Sequence, residues 1–179
     1  TFGQKDVGGW KSENGLASYM FRANYNYDSK YYIGASIRYD GLSKLPKDTR
    51  WGTFWGASAA WRLSREKFWT EAPVNEWFND LRLRASYATI GNSALGSDYP
   101  YLGTYGAKLV GPMAGIAWNV MGNNNLKWET TETFDIGLDG ALFNNRMTFE
   151  IAYWQKNSKD LVLRVPTPPT MGIPNNYYY

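Results

Sequence analysis

Polar and apolar residues alternate along six stretches of this chain. In residues 17–27, every odd position is apolar or aromatic, and every even position except Met20 is polar. Successive side chains of a β-strand point to opposite faces, so this alternation predicts a strand with one apolar face and one polar face. The pattern recurs, with some small residues on the polar side, in residues 31–40, 53–63, 81–87, 128–142 and 147–156. The sequence therefore predicts six β-strands joined as antiparallel neighbours.

The connections between these strands differ in length according to the end of the sheet at which they lie. Asp28-Ser29 and Asn144-Asn145 are two-residue turns, and Asn tolerates the positive φ that such hairpins require. Strand parity puts residues 64–80 at the same end. It puts the long connections at the other end, namely residues 41–50, residues 90–126 and the tail after Ser158. Outer-membrane barrels have short periplasmic turns and longer extracellular loops, so the long connections are predicted to face outward.

Residues 64–80 form the long exception among the predicted periplasmic connections. They can hold a short helix, with Ser64 as its N-cap and Glu66 in its first turn. We expect this connection to pack under the end of the sheet.

Aromatic residues are the compositional feature that favours a membrane location. They make up 17% of the 179 residues, with 14 Tyr and 9 Trp. Tyr and Trp suit the boundary between lipid and water, because they are apolar at one end and form hydrogen bonds at the other. The expected outward girdle comprises Tyr27, Tyr31 and Trp61 near the periplasmic rim, and Tyr39, Trp55, Tyr87 and Trp128 near the outer rim.

These features predict an all-β fold of about six antiparallel membrane-spanning strands from a larger outer-membrane β-barrel. A mean hydropathy of -0.50 is compatible with this fold, because half of each strand would face a polar lumen. No apolar run approaches the roughly 20 residues of a membrane helix. Six strands fall short of the roughly eight of the smallest membrane barrel, so both end strands are expected to pair with further barrel strands.

Residue content argues against several other functions. The chain has no Cys and no His, so thiolate metal sites and the commonest general base are both missing. Its acidic residues form no recognisable catalytic pair. We therefore expect no enzyme activity, no cofactor and no metal. A net charge of +3 without a dense basic cluster gives no reason to expect nucleic-acid binding.

Charged residues of opposite sign meet on the polar face of the fourth and fifth predicted strands. Opposite charges on antiparallel neighbours stabilise each other, so we expect Arg82 or Arg84 to pair with Asp139 or Asp135. Two interpretations remain open. The charges either bind another domain inside the barrel or line a translocation path, or they satisfy one another along a wet wall.

The connection 90–126 is too long for a structureless loop in a compact domain. It is therefore expected to be either a folded binding loop or partly mobile. Its aromatics can stack on a ligand or fix the loop against its neighbours. The candidates are Tyr99, Tyr101, Tyr105 and Trp118.

Glu132 departs from the alternation, because parity puts it on the apolar face with Phe134 and Ile136. Two explanations are open: it lies above the lipid, or a β-bulge near Thr131 turns it inward.

Several motifs in the same order resemble the SusC/RagA family of TonB-dependent outer-membrane transporters. The resemblance covers most of residues 19–165 and corresponds to the C-terminal half of that family's barrel. The motifs are Ala35-Ser36-Ile37-Arg38-Tyr39-Asp40-Gly41, Arg50-Trp51-Gly52-Thr53-Phe54, Leu81-Arg82-Leu83-Arg84-Ala85-Ser86-Tyr87 with Gly91-Asn92, Leu126-Lys127-Trp128-Glu129-Thr130-Thr131, Phe143-Asn144-Asn145-Arg146 and Lys159-Asp160-Leu161.

The resemblance implies a 22-stranded barrel in the Gram-negative outer membrane, of which residues 1–179 are a partial barrel domain. It also implies import of oligosaccharides or oligopeptides under a SusD-like surface lipoprotein, with energy delivered by TonB. The family's plug domain, signal peptide and TonB-contacting segment have no counterpart in these residues. The expected partners are the remaining barrel, the plug, the lipoprotein, TonB and outer-membrane lipid.

Two alternatives remain at the level of sequence. One is a soluble β-sandwich that binds glycans through exposed aromatics, which would need a second sheet over the apolar face. The other is a plugged barrel for siderophores or cobalamin.

Overall fold

The computed structural model describes residues 9, 11–73, 77–96, 98–110, 113–163, 165–166, 168, 170 and 177–178. Within these residues, no helix is long and apolar enough to cross a membrane. The first ten residues, in which the sequence predicts no signal segment, lie outside the described part apart from Gly9.

Six long strands form one antiparallel sheet in the order β1-β2-β3-β4-β7-β8. Their bounds are β1 Leu16–Tyr27, β2 Tyr31–Leu42, β3 Trp51–Arg62, β4 Phe78–Asn92, β7 Glu129–Leu142 and β8 Met147–Lys159. The predicted all-β antiparallel fold is confirmed, and so is the pairing of the fourth and fifth predicted strands as β4 and β7. The apolar face stays exposed, with Phe21, Ile33 and Ile151 open to the surroundings. The described residues provide no second large sheet over this face, as the β-sandwich alternative would need.

The short turns adopt the backbone conformation that their residues favour. Asp28 and Ser29 have φ values of 52° and 51°, and Asn144 and Asn145 have 56° and 62°. Phe143 also takes a positive φ of 53°. Both connections are longer than the two residues that the sequence predicts, since the first comprises residues 28–30 and the second residues 143–146. Both turns lie at one end of the sheet, the turn end, and the connections 43–50 and 93–128 lie at the loop end.

The connection between β4 and β7 contains a second, separate hairpin. Its strands are β5 Thr104–Val110 and β6 Met113–Val120, which pair with each other in their own two-stranded sheet. A two-residue pairing of β9 Val165–Pro166 with β10 Tyr177–Tyr178 follows β8. Of the two alternatives for this long connection, the structure thus supports a folded loop, which contains a β-hairpin.

Residues 63–73 form the long connection at the turn end. A 3-10 turn, Leu63–Arg65, leads into a one-turn helix, α1 Lys67–Thr70. The residue at the N-cap position of α1 is Glu66, so the prediction of Ser64 as N-cap is wrong. Ser64 instead donates its hydroxyl hydrogen to Asp80 Oδ1 at 2.5 Å, because that carboxylate stands beside it on β4.

A small buried core lies at the loop end of the sheet. It joins the first long connection to the start of β7, and Leu95, Tyr101 and Val162 pack against it. Its members are Leu42, Leu45, Phe54, Leu126 and Trp128.

Candidate functional site

Arg84 is the centre of a charge cluster on the polar face. It lies on β4 opposite Gly137 of β7, and a β-carbon at position 137 would come within 2.7 Å of Arg84 Nε. The missing side chain leaves room for the guanidinium to lie across β7. Arg84 reaches Asp135 Oδ1 and Asp139 Oδ1 at 3.3 Å each, and it also contacts Glu150 on β8.

Arg82 completes this cluster at the next polar-face position of β4. It lies opposite Asp139, and its Nη2 donates to Asp139 Oδ2 at 2.7 Å. The structure thus brings together all four residues that the sequence singled out, and it adds Glu150. With two guanidinium groups and three carboxylates, the cluster carries one negative charge in excess.

Two further ion pairs flank the cluster on the polar face. Arg62 binds Asp80 in a bidentate manner, with both nitrogen–oxygen distances at 2.7 Å. Arg38 Nη2 lies 2.6 Å from Asp40 Oδ2, and Asp40 is fully buried. Bidentate guanidinium–carboxylate pairs fix geometry as well as charge, so this face is an ordered polar surface.

Between these ion pairs, the polar face is smooth and lined by small residues. A β-carbon on Gly34 would come within 2.7 Å of Ser58 Oγ on the neighbouring strand, and one on Gly56 within 3.3 Å of Ser36 Oγ. Ser58 lies opposite Ser86 in the register. This small-residue patch leaves space above the sheet.

Aromatic side chains form a continuous row at the turn end of the apolar face. Tyr31 lies between Tyr27 and Trp61 in the strand register. Its ring centroid is 6.4 Å from that of Tyr27 and 6.3 Å from that of Trp61. The three predicted periplasmic-rim residues are therefore neighbours.

A second set of aromatics lies at the loop end of the same face. Trp55 and Tyr87 are 5.2 Å apart, and Tyr39 stacks on Trp51 at 4.8 Å. Tyr19 extends this stack, 6.4 Å from Trp51. The sequence analysis missed Trp51 and Tyr19, although both share strand parity with the predicted members.

Trp128 does not lie in that set, which corrects its predicted place in the outer girdle. It is 6% exposed and packs edge-on against Phe54, with ring centroids 5.3 Å apart. Its indole nitrogen donates to the carbonyl oxygen of Arg50 at 2.8 Å. Strand parity fails here because β7 begins only at Glu129.

The four aromatic candidates of the long loop separate into different environments. Tyr105 and Trp118 lie opposite each other on the β5–β6 hairpin, with ring centroids 4.0 Å apart. Tyr101 packs against the buried core, and Tyr99 donates its hydroxyl hydrogen to the carbonyl of Glu13 at 3.1 Å. Tyr99 and Tyr101 thus fix the loop, whereas Tyr105 and Trp118 contact each other on the hairpin.

The hairpin carries more apolar surface than this pair alone. Leu109 and Ile116 are exposed, and strand alternation puts them on the same hairpin face as Tyr105 and Trp118. An exposed apolar patch on a loop is typical of a binding surface.

Asp98 connects three segments at the loop end. It accepts hydrogen bonds from Ser12 and from Asn14 Nδ2 at 3.0 Å, and Lys44 Nζ lies 3.3 Å away. The Ser12 hydroxyl, followed by Lys44, lowers the pKa of the Asp98 carboxyl. Asp98 therefore holds the entry to β1 and the connection after β2 against the long loop.

Glu132 keeps its place on the apolar face and acquires a partner. The register of β7 with both neighbours is continuous through this position, so the bulge near Thr131 is wrong. Lys159 Nζ lies 2.6 Å from Glu132 Oε1. The cross-strand neighbours nearest the loop end, Gln155, Asn157 and Lys159, are polar too, so the apolar band ends before Glu132.

Across the described residues, no group of acidic side chains is arranged to hold a metal ion. The candidate site thus consists of a sheet with a polar face of ion pairs and an apolar face with aromatic rows, together with the β5–β6 hairpin that carries Tyr105 and Trp118. A model of the TonB dependent receptor-like β-barrel family matches residues 4–179. The chain belongs to this family. The resemblance of its motifs to SusC and RagA is confirmed.

Relatives of this TonB-dependent receptor barrel include named receptors from two bacteria. The chain is 35% identical over 161 residues to a TonB-dependent receptor of Formosa agariphila. The aligned region covers 89% of this chain and 15% of that receptor. The chain is 32% identical over 166 residues to the TonB-dependent receptor SusC of Bacteroides thetaiotaomicron, with 89% and 16% covered. The chain thus spans less than a fifth of the length of these curated relatives.

Solved structures of the RagAB peptide transporter share the fold of this barrel segment. One superposes with a TM-score of 0.80 at 30% identity, covering 93% of this chain and 18% of that chain. The "open-open" state of the RagAB peptide importer gives a TM-score of 0.77 at 28% identity over 98% of this chain.

Proposed function

We propose that this chain is part of the wall of an outer-membrane transporter that imports oligosaccharides or oligopeptides under a SusD-like surface lipoprotein. The observation that carries the proposal is the superposition of 93% of the chain on the RagAB peptide transporter. The identity of 32% to SusC over 89% of the chain supports it. The activity belongs to the whole receptor, to which this chain contributes a part.

The two faces of the sheet suit the two environments that such a wall separates. The apolar face exposes large side chains such as Phe21 and Ile151, whose contact with water is unfavourable and whose contact with lipid tails is not. The ion pairs of the polar face suit a wet lumen. The aromatic sets at both ends of the apolar face fit the two lipid–water boundaries, with the turn end at the periplasm and the loop end outside.

Residues 1–179 belong wholly to the barrel domain in this proposal. The plug domain and the segment that contacts TonB would be other parts of the receptor. The small-residue patch around Gly34 and Ser58 gives a plug room to approach the wall. Glu150, which is exposed and belongs to a cluster with excess negative charge, is a carboxylate that such a plug can contact.

The β5–β6 hairpin is our candidate for contact with substrate or lipoprotein. Tyr105 and Trp118 form a paired aromatic surface outside the membrane wall. Aromatic faces stack on sugar rings and pack against peptide side chains, so the pair is compatible with either substrate class.

Gene deletion in the native host tests the proposed function. We expect loss of growth on one class of oligosaccharide or oligopeptide, recovery with the intact gene, and no recovery in cells that lack TonB. Affinity purification of the receptor should also recover a surface lipoprotein. Normal growth on these nutrients combined with impaired uptake of a siderophore or cobalamin would overturn the proposal in favour of that receptor type.

A further inference from the structure

Residues 63–73 and their neighbours form a surface at the turn end of the sheet. We call residues 63–73 the rim segment. Hydrogen bonds fix the rim segment to Asp80 on the polar face and to Tyr31 and Trp61 on the apolar face. We propose that the rim segment is an interfacial anchor that lies in the phospholipid headgroup layer at the periplasmic side of the membrane.

The first support is the attachment of Glu66 to the apolar face. Its Oε1 accepts hydrogen bonds from the Tyr31 hydroxyl at 2.6 Å and from the Trp61 indole at 3.2 Å, and Lys30 Nζ lies 3.7 Å from Oε2. Tyr31 and Trp61 belong to the aromatic row of that face. The bond from Tyr31, then that from Trp61, lowers the pKa of the Glu66 carboxyl, which therefore stays ionised at neutral pH.

The second support is the packing of α1 against the same face. Trp69 meets Phe78 edge-on at 6.4 Å and donates its indole hydrogen to the Phe78 carbonyl at 3.3 Å. A register shift between Phe78 and Asp80 pairs Phe78 with Leu142, which puts its ring on the apolar face, 6.4 Å from Phe149. Without that bulge, parity would direct Phe78 to the polar face. Helix α1 thus packs against the apolar side of the wall, although Ser64 at the start of the segment bonds Asp80 on the polar face. The segment therefore does not simply pack under the sheet, as the sequence led us to expect.

The third support is the apolar surface left open around the segment. Phe68 on α1 is 57% exposed, and nearby Trp77 and Phe143, which contact each other at 5.8 Å, are 60% and 47% exposed. Exposed Arg65 and Lys67 lie shortly before Phe68 in the sequence. Aromatic rings beside cationic side chains are the chemistry that phospholipid headgroups bind, because the rings enter the acyl boundary while the cations meet phosphate.

The inference rests on the membrane location in the proposed function, so the test separates the two. The full receptor, without other cysteines, is reconstituted in phospholipid bilayers with one spin-labelled cysteine at a time, and relaxation by oxygen is compared with relaxation by a water-soluble nickel complex. This chain contributes no cysteine of its own. The variants are F68C on the rim segment, I37C in the middle of the apolar face and D48C in the exposed loop after β2.

We expect the label at position 68 to favour oxygen over nickel, at a depth between those at positions 37 and 48. If the label at position 68 were as accessible to nickel as the label at position 48 while position 37 lay in lipid, the anchor proposal would be overturned and the membrane location would stand. A label at position 37 in water would overturn the membrane location itself. Because Phe68 is exposed, its replacement leaves the packed contacts of Trp69 intact. F68W with bromine-labelled lipids gives an independent depth, compared with the same quenching of the unmodified receptor.

Discussion

The guanidinium of Arg84 lies against the backbone of Gly137, its cross-strand partner, so that a β-carbon there would stand 2.7 Å from Arg84 Nε. Gly137 is therefore a requirement of the ion-pair cluster as well as a strand residue. The glycine lets one arginine on β4 reach a carboxylate on β8.

Replacing Gly137 with alanine is expected to displace Arg84 and weaken its contacts with Asp139 and Glu150. The loss should be about 1 kcal/mol in the free energy of unfolding, since these side chains are only partly buried. Urea-induced unfolding of the receptor in detergent micelles measures it.

The matched control is the same substitution in an R84A background, where the methyl group meets no guanidinium. We expect the cost of G137A to fall there toward zero. An equal cost with and without Arg84 would mean that Gly137 acts on the backbone instead.

Acidification should weaken the contacts that Asp98 makes with Ser12, Asn14 and Lys44 at the loop end. The pKa of Asp98 is lower in the folded state than in the unfolded chain. Its stabilising contribution is therefore complete above the ordinary aspartate pKa of about 3.9 and is lost as pH falls through the lower folded value. Hydrogen exchange at Gly15 and Ser43, which bond to each other, should accelerate below about pH 4 once intrinsic rates are removed.

D98N is the control, because its amide does not titrate. Its exchange at Gly15 and Ser43 should be faster than in the native chain at pH 7, with no further change on acidification. A native-like pH response in D98N would assign the effect to another group.

Loss of Trp128 should lower the free energy of unfolding more than loss of a tryptophan on the exposed apolar face, such as Trp55. W128A removes a buried ring beside Phe54 and leaves the Arg50 carbonyl without its donor, so we expect a loss of about 3–5 kcal/mol. W128F keeps the ring volume in part and should cost less.

W55F, on the exposed apolar face, serves as comparison and should change stability little. Thermal unfolding of the three variants in the same detergent gives the order. If W128A were no worse than W55F, the buried core would not stabilise the loop end.

Removal of the hairpin pair should affect uptake without affecting the wall. In Y105A/W118A, we expect a raised KM for the transported nutrient and an unchanged unfolding midpoint, because β5 and β6 pair only with each other. Uptake of labelled substrate by intact cells measures the first quantity.

Y99A tests whether any loop aromatic would give this result. Tyr99 bonds the Glu13 backbone instead of lying in the hairpin pair, so its loss should leave KM unchanged. Normal uptake in Y105A/W118A would remove the hairpin from the substrate path.

Strand parity predicted the sheet and its order because each strand separates the same two environments over ten or more residues. Strand parity failed where a strand begins later than the alternation suggests, or where a side chain bonds a partner on another strand. Trp128 precedes β7 and belongs to the buried core, whereas the Ser64 hydroxyl bonds Asp80. A bulge before Asp80 leaves no mark in the alternation.

The β5–β6 hairpin could have been predicted from the sequence. Gly111-Pro112 is a turn signal between two short alternating runs, 105–109 and 114–118. The partners of Asp98 were not, since Ser12 and Lys44 are far from it in sequence and meet it only once the strands have paired.

The two faces of the sheet differ in the size of their side chains, which favours one direction of bending over the other. Glycine and serine occupy the middle of its polar face, where Gly34 lies against Ser58, while tyrosine, tryptophan and isoleucine occupy the other. The side of smaller volume is the one that can become concave, and Arg84 draws three adjacent strands together on that side. The small residues in the middle of the polar face thus favour curvature toward the ion pairs within the six strands themselves.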